Sequence, residues 1–66
     1  MANRNVTLWI LNDEGLYRTA LAFTRRYRRP LAARLMLDVL VEAGITHTPD
    51  GAKYTVTAIR AAMVGL

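Results

Sequence analysis

The stretch "PLAARLMLDVLVEAG", Pro30 to Gly44, constrains the fold of this chain most, because residues that punctuate helices bound it at both ends. Pro30 has its φ fixed near the helical value and no N–H to lose, so it suits the first turn of a new helix and cannot continue an old one. Gly44 suits the left-handed cap that ends a helix near Ala43. Between them, Arg34, Asp38 and Glu42 fall on one narrow strip at helical spacing, and nearly everything else is apolar. A helix apolar over most of its circumference is expected at the centre of its domain, with part of that surface available to a second copy of the chain.

The chain around this helix has 66 residues, no cysteine and one histidine, so neither a disulfide framework nor a usual structural zinc site can hold it together. A single small domain, residues 1–66, is expected, hiding only about 60% of the surface its unfolded form exposes. Helix packing or self-association has to supply its stability. The apolar share of 53% argues for a folded chain rather than a disordered one. No stretch reaches the roughly 20 apolar residues of a membrane span, since Asp38 interrupts "LMLDVLV", and "MANRNVTLWIL" lacks the parts of a signal peptide. The expected location is the cytoplasm.

Ahead of the central segment, Val6 to Leu11 reads as a short strand, with Val6, Leu8 and Ile10 alternating against Thr7 and Trp9. Asn12 then suits an N-cap, and a helix is expected from Asp13 to about Arg29. On that helix Leu16, Ala20, Phe23 and Tyr27 share a core-facing sector, and Arg18, Arg25 and Arg29 share the opposite one. Arg26 and Arg28 flank the arginine stripe. Cations at a helix carboxyl end are favoured by the dipole, which accounts for the cluster without a ligand; anion binding is the alternative reading.

After Gly44, "THTPDGAKYT" reads as a turn with Pro49 at its first central position, bracketed by two short extended pieces that could pair as a small hairpin. Thr55 caps a last helix, Val56 to about Val64, with Val56, Ile59, Met63 and Leu66 directed inward and Thr57, Arg60, Ala61 and Val64 outward. The fold class is therefore mostly α: a short N-terminal strand and three helices, with a turn or short hairpin before the last helix.

Leu35 to Met63, anchored at Gly44, Ile45, Thr48, Gly51, Tyr54, Ile59 and Met63, resembles a helix-turn-helix segment of the recombinase domain of large serine recombinases. Tyr54 stands where that pattern usually has Trp, and nothing here is similar to the catalytic domain with its serine nucleophile. The resemblance therefore implies a DNA-binding module, of the small kind that phages and mobile elements encode, and no recombination chemistry.

For catalysis the sequence offers no constellation. Asp13 and Glu14 are accounted for by a helix start and Asp38 and Glu42 by a solvated strip, while His47 stands among threonines as an expected exposed side chain. No enzyme activity, metal or cofactor is expected. The formal charge of +4 and pI near 10.4 suit nucleic acid or an acidic protein. In the DNA reading, the last helix enters the major groove with Thr57, Arg60 and Ala61, while Arg18, Arg25, Arg26, Arg28, Arg29 and Lys53 hold phosphates, as a regulator and as a homodimer. The alternative is a small phage or mobile-element-type protein that binds and inhibits or adapts an acidic host protein, using Trp9, Tyr17 and arginines as an exposed interface.

Overall fold

The computed structural model describes residues 2–66, with side chains from residue 5 onward. Four helices occur among them: α1 (Ala2–Asn12), α2 (Glu14–Arg26), α3 (Arg29–Glu42) and α4 (Val56–Met63). Their principal contacts close a ring, α1 on α4, α4 on α3, α3 on α2 and α2 on α1. The core at its centre is built from Val6, Ile10, Ala20, Ala32, Ala33, Met36, Leu40, Tyr54, Ala58, Ile59, Ala62 and Met63.

The segment Val6 to Leu11, expected as a strand, is instead helical and belongs to α1. Val6 and Ile10, one helical turn apart, are wholly buried, whereas Leu8 is 50% exposed. A strand would have turned all three to one side. The intrinsic preference of β-branched residues against helix is a few tenths of a kcal/mol each, while burying a Val or Ile side chain is worth about 1.5–3 kcal/mol, so packing against α4 decides the conformation.

Asn12 ends α1, and the capping role passes to Asp13, whose Oδ1 accepts the Leu16 N–H at 3.0 Å. Helix α2 stops at Arg26, three residues short of the expected end. Had it continued, the Pro30 ring would have met the Arg26 carbonyl, so the chain extends at Tyr27 and Arg28 and restarts as α3. Ala20 is buried, and Leu16 and Phe23 pack beside the core as expected. Tyr27 does not join them: it lies past the helix end, 41% exposed, with its ring tilted 41° against Phe23.

Helix α3 ends as its sequence requires. Gly44 takes φ +78°, its N–H bonds the Val41 carbonyl at 3.0 Å, and the Ile45 N–H reaches back to the Leu40 carbonyl at 2.8 Å, the paired bonds of a Schellman cap. The helix is one wall of the ring rather than its centre. Ala32, Ala33, Met36 and Leu40 are buried, while Leu31, Val39 and Val41 are each about half exposed. The two extended pieces around Pro49 pair only at His47 and Lys53. Helix α4 keeps its expected cap, with the Ala58 N–H on Thr55 Oγ1 at 3.1 Å, and buries Ile59 and Met63 together with Ala58 and Ala62. No described helix is long and apolar enough to cross a membrane.

Candidate nucleic-acid interface

Two surfaces carry the residues singled out by the sequence. The first is the outer side of α4, where Thr57, Arg60, Ala61 and Val64 are exposed beside a buried stripe of Ala58, Ile59, Ala62 and Met63. Small side chains at Thr57 and Ala61 let a surface come close to the helix, and Arg60 between them carries a fork of N–H donors suited to a guanine edge or a phosphate. Lys53, also exposed, sits just ahead of the Thr55 cap.

The second surface is the corner between α2 and α3. The expected single stripe of Arg18, Arg25 and Arg29 does not form, because Arg29 belongs to a different helix. Arg25 and Arg26 occupy the last turn of α2, Arg28 is the N-cap of α3 and Arg29 opens it, and all four are exposed. The dipole favours the first two and opposes the second two. Arg28 makes no side-chain capping bond. Among the described residues none of the four has an ion-pair partner, whereas Arg18 is paired with Glu14 at 2.5 Å and so stands apart from the cluster. Arg34 lies 4.0 Å from Asp38.

Comparison with protein-family models, with curated proteins and with solved structures finds no match for this chain. The exposed face of α4 can meet a partner in one orientation only if the helix itself has firm support.

That support comes from side chains the sequence did not connect. Trp9, expected on the surface, is half-buried, and its indole lies near enough to the Asp50 carboxylate in the turn before α4 to help lower its pKa. Only an indole N–H can donate from Trp. Thr48, 4% exposed, is the hinge of the same turn: its hydroxyl donates to Asp50 Oδ1 and accepts the Ala52 N–H at 2.9 Å. The backbone adds Gly51 N–H to the Thr48 carbonyl at 2.9 Å and Thr48 N–H to the Ala52 carbonyl at 2.7 Å, with Gly51 at φ +96°. The residues joining α3 to α4, 43–55, are more than the three or four of a compact helix-turn-helix. They hold α4 through a turn closed by its own hydrogen bonds, with Trp9 of α1 beside it. No local rule links position 9 to position 50, so only the packing of α1 could reveal it.

This junction has a pH signature. The Thr48 hydroxyl, opposed by partial burial and helped by Trp9, holds the Asp50 carboxyl below its ordinary 3.8. A carboxylate lowered by folding contributes stability above its unfolded pKa, and the contribution is lost as pH falls through the folded value. Tyr54 behaves oppositely. Burial, then the charges of Asp13 and Asp50, push its phenol above 10.0, so its contribution is complete below pH 10.0 and is lost as pH rises through the folded value. Thermal melts across pH should show Asp50→Asn flattening the acid limb below pH 3.8 and, because its charge also acts on Tyr54, a lesser part of the alkaline limb, with Tyr54→Phe flattening only the alkaline limb above pH 10.0. Unchanged limbs in both variants would remove the junction from the protein's stability.

Proposed function

We propose that the protein is a small DNA-binding module whose α2–α3 corner grips phosphates and whose α4 reads a groove. The carrying observation is the corner itself: Arg25, Arg26, Arg28 and Arg29 exposed together without an ion-pair partner among the described residues. Two of these cations sit at the amino terminus of α3, where the dipole also favours an anion, and a phosphate there offsets both. The α4 side adds Thr57, Arg60 and Ala61 as base-edge readers, with Lys53 as a further backbone contact. Arg18, already paired with Glu14, is the weakest member of the set. A cytoplasmic location and a regulatory role belong to this reading, as does the kinship with small phage or mobile-element proteins.

The largest extent of the molecule is 29 Å, which falls short of the roughly 34–36 Å of one DNA turn, so a single copy engages one groove face. The test is fluorescence anisotropy on random and selected duplexes over a range of salt. Log K should fall linearly with log salt, at about −0.9 per phosphate contact. Thr57→Ala and Arg60→Ala should leave the melting temperature nearly unchanged but remove preference for the selected site, by about 1–3 kcal/mol for a lost bidentate base contact. Absence of binding even at low salt overturns the proposal and leaves the arginines to an acidic protein, which the module would inhibit or adapt.

A further inference from the structure

The ring of helices leaves one flank of α3 without a neighbour. Leu31, Leu35 and Val39 follow one another at intervals of one helical turn and form a single ridge. Leu31 is 49% and Val39 47% exposed, and Leu35, though half-buried, is not among the side chains packed on the core. At about 100° per residue the ridge lies well away from the buried stripe of Ala32, Met36 and Leu40, and beside Asp38 and Glu42.

The charges around this ridge are ordered along the helix. Arg28 and Arg29 stand at its amino end and Asp38 and Glu42 toward its carboxyl end, all exposed, against the preference of the helix dipole at both ends. Among the described residues neither Arg28 nor Glu42 has an ion-pair partner. A second α3 laid alongside in the same direction would put arginine against arginine. Laid antiparallel it brings each arginine end onto the acidic end of its partner.

The apolar ridge asks for the same arrangement. Leu31 and Val39 lie equally far from Leu35 along the chain, and so do Arg28 and Glu42. With Leu35 on a two-fold axis, Leu31 of one protomer meets Val39 of its partner, and Arg28 meets Glu42. One register therefore satisfies the aliphatic contacts and the charges together, as an isologous interface requires. A foreign helix would have to reproduce this pattern, which the chain itself already carries.

We propose that the Leu31–Leu35–Val39 flank of α3 is the interface of an antiparallel two-fold dimer of this chain, with orientation set by Arg28 and Glu42 across the axis. A single pair of helices this long buries less than the roughly 1,200–2,000 Å² of stable complexes, so association is reversible and in the micromolar range. Arg25 and Arg26, at the end of α2, remain outside the pairing and available to phosphate. The dimer does not depend on the DNA reading, and its test contains no DNA.

Sedimentation velocity of the full chain over about 1–500 μM should show a monomer–dimer equilibrium, with Val39→Lys raising the dissociation constant by about tenfold or more. Glu42→Arg should weaken the dimer too, and more so at low salt, because it sets like charges face to face. Combining it with Arg28→Glu should restore the wild-type constant to within about threefold, since the reversed pair keeps its complementarity. These positions are exposed, so circular dichroism should report an unchanged helical fold in every variant, and Leu31→Lys supplies a second apolar probe should one of them misfold. A chain that stays monomeric throughout overturns the proposal and leaves the flank to another partner. So does a dimer indifferent to both Val39→Lys and Leu31→Lys, or a charge swap that fails to restore association.

Discussion

Ile10→Ala is expected to lower the unfolding free energy by about 2–5 kcal/mol, while Leu8→Ala stays within about 0.5 kcal/mol of the wild type. Ile10 is fully buried and its removal leaves a cavity between α1 and α4; Leu8 is 50% exposed and its removal leaves none. A domain of 66 residues has a total stability of roughly 3–10 kcal/mol, so the first substitution takes away much of it or all of it. Urea denaturation followed by circular dichroism measures both. The pair also decides how α1 is built, because a strand would place Val6, Leu8 and Ile10 on one face and make them respond alike. Equal losses at Leu8 and Ile10 would contradict the helix.

The same residues show where local pattern stops being informative. Val6 and Ile10 satisfy a period of two and a turn of helix equally well, so alternation could not separate the alternatives; contact with α4, far along the chain, settles the matter. Where a rule acts through the backbone itself, the sequence was sufficient. Gly44 with its left-handed φ, Thr55 with its cap, and the inward positions Ile59 and Met63 of α4 were all readable, and so was the exposure of Thr57, Arg60 and Ala61. Pro30 correctly announced a break. Its place, at Tyr27 and Arg28, follows from the carbonyl that the ring would strike, and that displacement dissolved the supposed arginine stripe into a corner shared by two helices. The approach of Trp9 to Asp50 lay beyond sequence reasoning, since it exists only once α1 is packed near the residues that precede α4.

The arginine corner sets the largest expected change in binding. If Arg25, Arg26, Arg28 and Arg29 each neutralise one phosphate in the monomer, at protein concentrations below those of self-association, replacing all four by Gln should flatten the salt slope by roughly 3–4 units, at about 0.9 per contact. At low salt the affinity should fall by about a thousandfold, and by a similar factor on every duplex, because phosphate contacts carry no sequence information. Stability provides an internal control. Removing Arg28 and Arg29 relieves the amino terminus of α3, and removing Arg25 and Arg26 forfeits a favourable charge at the end of α2, each by about 0.3–1 kcal/mol, so the melting temperature should barely move. Arg18→Gln serves as the comparison, since its partner Glu14 already occupies it and its loss should change the slope by much less than one contact. Taking Arg25 and Arg26 apart from Arg28 separates phosphate contact from self-association: Arg25→Gln with Arg26→Gln should weaken DNA binding and leave the dimer intact, whereas Arg28→Gln should weaken both. A quadruple variant that keeps the wild-type slope would show that these cations face solvent or a protein, and the groove assigned to α4 would then have no backbone grip to hold it in register.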